Sequence, residues 1–269
     1  MPPHLQAIQS HIQSVMNLIG DRISLKYLLL DGAFGNNNAL QMCRRSGLHL
    51  VSKLRFDAAL FLPYQGEQKK RGRPKKYGNK IDIKQLPADK LVKTISDETS
   101  ETCFYQFHAW SKNFPDLLNV VVLVRTQHQT GKIGHVILFS SDLDLEAERL
   151  VDLYSLRFQI EFNFRDAKQF WGLEDFMNVK ETQVTNAANL AMFMVNISHI
   201  LAAQLSTPDT TLSILDLKAV CRGRKYVLEV LKYLPKPPDR FLIHQLFSKV
   251  GLLGRINGPL KSLNWRRYC

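Results

Sequence analysis

A chain of 269 residues that is 45% hydrophobic and 22% charged has an ordinary globular make-up, long enough for one large domain or for a domain with a sizeable insertion, and disorder throughout is excluded. Its 36 Lys and Arg outnumber 24 Asp and Glu, and the net charge of +12 favours a polyanionic partner such as nucleic acid over an acidic small molecule. Cys43, Cys103, Cys221 and Cys269 form no C-x-x-C pair and the eight histidines no H-x-x-x-H, so neither a zinc ribbon nor a disulfide framework is indicated and a reducing cytoplasm fits best.

The N-terminal MPPHLQAIQSHIQ lacks the basic stretch and apolar core of an export signal. Leu5, Ile8, Ile12, Val15 and Ile19 recur at helical spacing, with Gly20 where a C-cap belongs, so residues 4–19 are predicted as a helix. SLKYLLLD, residues 24–31, predicts a buried strand with Asp31 at its C-terminal edge before a Gly-rich turn. A helix over 38–46, broken by Gly47, and a strand over 48–54 complete a β-α-β piece of a mixed sheet. From Asp57 to Leu143 the character becomes β-rich, with strand-like runs at 101–110, 117–126 and 132–139. Early in this stretch lies KKRGRPKK, residues 69–76, whose Arg71-Gly72-Arg73-Pro74 has the core pattern of an AT-hook, in which arginines enter a narrow A·T-rich minor groove. A solvated loop making generic phosphate contacts is the plainer reading of the same residues.

After Asp144 the pattern is helical: a long amphipathic segment through Trp171, then helices near 183–204, 212–233 and 239–249, the last two punctuated by Pro235, Pro237 and Pro238. Leu190 to Leu205 is apolar, but Asn196, Ser198, His199 and Gln204 interrupt it, which predicts a buried helix and no membrane partner. Within the first helical segment Tyr154, Arg157, Glu161 and Lys168 have the spacing Y-x2-R-x3-E-x6-K. On one continuous helix at about 100° per residue they share a face roughly 60° wide. Leu153, Ile160, Phe164, Ala167 and Trp171 form an adjoining apolar stripe. The residues alone leave two readings open: a solvated charged face held by weak i,i+4 pairs, or a row that presents Glu161 to a metal and Arg157 and Lys168 to phosphates.

The Tyr154, Arg157, Glu161, Lys168 spacing resembles the Y-R-E-K signature of insertion-sequence transposases of the DDE superfamily. YLLLDGAFGNN resembles the strand that carries that family's second catalytic aspartate, and HLVSKLRFDAALF and Trp171-Gly172-Leu173-Glu174 add to the likeness, which covers most of residues 1–205. The resemblance implies an α/β, ribonuclease-H-like mixed sheet with a β-rich insertion and a helical C-terminal region. Residues 1–56 would be part of the core, 57–143 the insertion with its basic loop, 144–205 the completion of the core with the glutamate helix, and 206–269 the helical end.

It further implies a DNA transposase, bacterial, cytoplasmic and nucleoid-associated, acting on double-stranded transposon ends and target DNA as a homodimer on paired ends. Asp31 and Glu161 would be catalytic and hold magnesium, or manganese in its place, while Tyr154, Arg157 and Lys168, together with Arg71 and Arg73, would contact DNA. The chemistry suits such residues. Phosphodiester cleavage and strand transfer are served by two metal ions roughly 3.5–4 Å apart, and magnesium takes a few carboxylates plus substrate phosphate. In the family the first aspartate lies on a strand before the helix with which this sequence opens. Neither Asp21 nor Asp57 suits that position, so the expectation is an N-terminally truncated copy, with a noncatalytic DNA-binding remnant as the alternative. Some members of the superfamily stack a tryptophan of the insertion on a flipped base; Trp110 lies in the corresponding region, but a tryptophan packed on a sheet face is the simpler expectation.

Overall fold

The computed structural model describes residues 2–177, 179–206, 211–236 and 238–253; Pro237 and Cys269 lie outside them. The chain forms two compact units, residues 1–158 and residues 159–269.

The first unit opens on α1 (Pro3–Ile19), which has a proline in its first turn, where no amide donor is missed, and ends at Gly20 with φ 55°. Then come β1 (Tyr27–Leu29), α2 (Asn37–Arg45), β2 (His49–Leu54), β3 (Leu60–Pro63), β4 (Tyr77–Lys80), β5 (Leu91–Ser96), β6 (Ser100–Ser111), β7 (Leu118–Gln127), β8 (Ile133–Ser140) and α3 (Ala147–Leu156). Asn36 caps α2 by accepting from the Ala39 amide at 3.1 Å.

All eight strands join one sheet in the order β1-β2-β8-β7-β6-β3-β4, with β5 also on β6. Among the described residues only β1 and β2 run parallel; β2 meets β8 antiparallel, so the strands predicted for the insertion continue the sheet that β1 and β2 begin. Alternation along the strands gives the sheet two apolar faces. Leu50, Leu54, Val120, Val122, Ile137 and Phe139 pack with Leu5 of α1 and Leu40 and Met42 of α2. On the opposite face Val51, Val121 and Leu138 pack with Leu145, Ala147, Leu150 and Leu153 of the α3 segment, joined by Tyr27 and Leu29 of β1.

A polar clasp fixes the start of β1. Asp142, buried just after β8, accepts from the Tyr27 hydroxyl at 2.7 Å and pairs with the Lys26 ammonium at 2.9 Å. Burial works to raise the carboxyl pKa, yet the bonds from Lys26, Tyr27 and the Asp144 amide outweigh it and hold the group down at about 2, against an ordinary 3.8. A carboxyl depressed on folding stabilises above its unfolded pKa and loses that contribution as pH falls through the folded one, here between about 4 and 2, amounting to roughly 2 kcal/mol at neutral pH. Melting curves of the wild type and Asp142→Asn across that range check this. The variant should melt lower at pH 7, and the gap should shrink as pH falls towards 2.

The second unit is helical: α4 (Gln159–Trp171), α5 (Glu181–Leu205), α6 (Ile214–Leu231) and α7 (Arg240–Leu252). Ala167 of α4 meets Ala191 and Val195 of α5, with Trp171 and Met192 alongside. Asp166, buried, accepts from His199 at 3.0 Å and from Arg165, a second tie between α4 and α5. Ser213 and Asp216 form a capping box at the start of α6. At Gly223 a β-carbon would stand 2.9 Å from the Val250 carbonyl oxygen, so glycine lets α6 and α7 approach closely.

Two expectations change here. The helix predicted to run through Trp171 is two helices, α3 and α4, separated by a turn at Arg157 and Phe158. The Ser155 hydroxyl donates back to the Asp152 carbonyl at 2.6 Å, and the next amides bond three residues back, Arg157 to Tyr154 and Phe158 to Ser155, which tightens and ends the α-helical turn. The apolar stripe predicted on one wheel is accordingly split: Leu153 and Ala167 are buried, while Ile160 and Phe164 are exposed. α5 is also not the buried helix its apolarity suggests. It buries the seam Ala191, Val195, Ser198 and Ala202 and exposes Leu190, Phe193 and Ile200. Among the described residues α5 is the one helix long and apolar enough to cross a membrane, by length and composition only.

Candidate active site and nucleic-acid interface

β1 ends two residues before Asp31, which starts a short 3-10 turn, Gly32–Phe34, and accepts from the Gly32 amide through its own carboxylate. The turn is pinned to β2 by three devices. The Leu30 amide donates to the Val51 carbonyl at 3.0 Å. The buried Ser52 hydroxyl donates to the Asp31 carbonyl at 2.9 Å. Gly35 lies so close to β2 that a β-carbon on it would meet the Lys53 carbonyl oxygen at 2.4 Å. The Asp31 carboxylate is thus held by backbone while its side chain stays 61% exposed.

α3 crosses the same face and delivers Tyr154 and, at its end, Arg157 to that carboxylate. The Arg157 guanidinium, 18% exposed, stands 4.0 Å from the Asp31 carboxylate. It also lies over the Phe158 ring at 4.6 Å and the Tyr154 ring at 5.8 Å. Burial pushes the Tyr154 phenol up; the Arg157 charge opposes this and the Asp31 charge adds to it. Tyr154 is therefore a neutral hydroxyl at physiological pH, a donor beside an anion and a cation. Asp31, Tyr154 and Arg157, chosen from sequence, are thus brought into one corner of the first unit. The helix wheel did not supply that result, because the break after Leu156 ends the continuous helix it assumed.

Glu161 and Lys168 belong to the second unit. Glu161 sits in the first turn of α4, where a helix N-terminus favours negative charge. Lys168, in the last turn, pairs with Glu174. Among the described residues no group of three or more His, Cys, Asp or Glu gathers in metal-binding proximity.

Arg71 and Arg73 occupy the loop between β3 and β4, exposed and with no ion pair among the described residues. Its base is closed by the Gln68 side chain, which donates to the Lys75 carbonyl at 2.9 Å and accepts from the Lys75 amide at 2.7 Å. Gly72, between the two arginines, has φ 100°, a conformation that favours glycine. Trp110 lies on the sheet edge-on to Tyr77, with the Lys76 ammonium 3.7 Å over its ring. Ser52 and Gly35 could not be picked out as supports from sequence alone, because their roles depend on which strand lies beside the Asp31 turn.

A mixed α/β sheet with an acidic residue at a strand end, inserted strands and following helices is a ribonuclease-H-like arrangement. The family described as transposase DDE domain matches residues 5–197, and the chain belongs to that family. No curated protein matches the chain.

Proposed function

We propose that this transposase cleaves and joins DNA strands at the ends of its own insertion sequence in a reaction that depends on magnesium, with manganese as a substitute. The observation that carries the reading is the exposed Asp31 carboxylate, fixed at the end of β1 with the Arg157 guanidinium 4.0 Å away, in a chain of the DDE family. The donor chemistry fits the metal. Magnesium takes hard oxygen ligands and is commonly held by one or two carboxylates together with substrate phosphate and water, so Asp31 and Glu161 suit it without a three-residue cage. When bound, the ion polarises the scissile phosphate and lowers the pKa of attacking water.

The chain's own side chains bind and orient. Arg157 neutralises Asp31 in the absence of other cations and presents charge to a phosphate oxygen. Tyr154 offers its hydroxyl to the same backbone, and Lys168 contacts phosphate further along. Arg71 and Arg73 reach the duplex from the loop. The partners are then the transposon ends and target DNA, bound by a homodimer on paired ends, in a bacterial cytoplasm at the nucleoid.

Duplexes copied from the DNA flanking the gene, incubated with the protein and magnesium or manganese, test the activity. Strand breaks at defined end positions are expected, and none in chelator. The second reading, a noncatalytic DNA-binding remnant, draws on the absence, among the described residues, of any group of three or more His, Cys, Asp or Glu side chains that could hold a metal ion. It predicts binding without breaks. Both readings expect duplex affinity to fall steeply between about 50 and 200 mM salt. Arg71→Gln with Arg73→Gln should flatten the plot of log affinity against log salt by about two, at roughly 0.9 per phosphate contact. Unchanged slope in the double variant would remove the loop from the interface.

A further inference from the structure

Lys53 is the one exposed residue of strand β2, and its neighbours Val51, Ser52 and Leu54 are all buried. Side chains alternate along a strand, so Lys53 shares the face of Val51, the face that α3 covers. β1 and β2 run parallel with Leu29 opposite Val51. The pairing ends there, and the Leu30 amide bond to the Val51 carbonyl leads the chain on into the Asp31 turn, which runs past Lys53.

The stem confirms the placement. A β-carbon built on Gly32 would be 3.6 Å from the Lys53 β-carbon and 3.9 Å from its Cδ, so the chain of methylenes runs along the Asp31 turn. Arg157 is drawn to the Asp31 carboxylate, but Lys53 makes no ion pair among the described residues, and its ammonium is left to solvent. The corner thus holds the Arg157 guanidinium beside the carboxylate and the Lys53 stem along the turn that carries it. Nothing in packing demands a lysine here, because a strand residue on this face could be covered by apolar side chains as Val51 is.

We propose that Lys53 is a further DNA-contact residue of this corner, its ammonium bound to a backbone phosphate of the strand that Asp31 addresses. The inference rests on the proposed function and adds to it a residue that the Tyr154, Arg157, Glu161, Lys168 pattern does not contain. A lysine suits the task, being a compact, mobile point charge that can follow a phosphate whose position shifts as a strand is cut and transferred.

The test is fluorescence anisotropy with a short labelled mixed-sequence duplex, read as affinity against salt for the full chain, Lys53→Gln, Lys53→Arg and Lys132→Gln. Lys132 is an exposed control in the turn between β7 and β8. Lys53→Gln should flatten the salt slope by about one, the loss of a single phosphate contact, and weaken low-salt binding at least several-fold. Lys53→Arg should restore both, Lys132→Gln should match the wild type, and melting temperatures should be unchanged. If Lys53→Gln keeps the wild-type slope while the Arg71, Arg73 double variant loses its share, the DNA reading stands and Lys53 is no contact. Loss in both Lys53 variants with a lowered melting temperature would make its role structural and overturn the proposal. A wild-type chain with no salt-dependent duplex binding would overturn the proposed function and this residue's part in it together.

Discussion

Glu161→Gln is expected to reduce strand cleavage by about two orders of magnitude or more, a loss of the size found when one electrostatic group of a catalytic site is removed, while duplex binding stays equal or becomes tighter. The two effects have opposite causes. An amide cannot replace an anionic oxygen as a ligand for a hard cation, so the chemistry that needs the ion fails. In the proposed role the same substitution removes a negative charge beside the DNA phosphates, and charges about 4 Å apart in water interact by roughly 1 kcal/mol, enough for several-fold tighter binding. Asp31→Asn should behave alike, since its carboxylate is 61% exposed. Parallel assays of nicking and of anisotropy, with magnesium and with chelator, separate the contributions. Chelator should make the wild type resemble either variant in cleavage. If Glu161→Gln lowers binding as much as cleavage, Glu161 holds structure or DNA and the metal-ligand assignment is lost.

What the sequence displays of this corner is the part written in local pattern. SLKYLLLD announces a strand ending in an acid because an apolar run, an aspartate and a Gly-rich turn are adjacent in the chain, and β1 with Asp31 beyond it follows. The long, apolar-rich strands β6, β7 and β8 are equally plain, and so are α1, α2 and the helices of the second unit. By contrast, β3, β4 and β5 were not predicted. β5 has an almost wholly exposed pattern, and β4 is the four residues Tyr77–Lys80, so neither carries a two-residue apolar period. The break between α3 and α4 is hidden for another reason. A wheel turns every residue by the same angle, whereas the Ser155 hydroxyl and two three-residue amide bonds interrupt that angle without any glycine or proline to mark it. Leu190, Phe193 and Ile200 mislead in the opposite direction: their apolarity suggests burial, but small residues form the seam of α5. Lys53 is illegible in principle from one strand alone, because its place along the Asp31 turn depends on the pairing of two strands.

The same register makes Gly35→Ala the most disruptive small substitution expected in the first unit. The added β-carbon would lie 2.4 Å from the Lys53 carbonyl oxygen and 3.1 Å from the Gly32 carbonyl oxygen. Both are backbone atoms, and Lys53 is tied into the sheet through its pairing with Leu138 of β8, so neither can swing aside as a side-chain end would. The turn must move instead, and with it the Ser52 bond to the Asp31 carbonyl and the Asn36 cap of α2 that follows directly. Overpacking of this kind costs about 1–3 kcal/mol, and for a protein of this size each kcal/mol lowers the melting temperature by roughly 2–4 °C. Gly134→Ala is the internal comparison. It adds the same atom on β8 where nothing lies within 4 Å, and it should leave melting unchanged or slightly raised. Differential scanning calorimetry of the two variants reads the contrast directly. Cleavage should fall in Gly35→Ala by more than its lowered stability explains, because the displaced residue is the turn that holds Asp31 to Arg157. Equal melting in the two variants would mean that the turn does not press on β2 and that Asp31 is held less rigidly than these contacts imply.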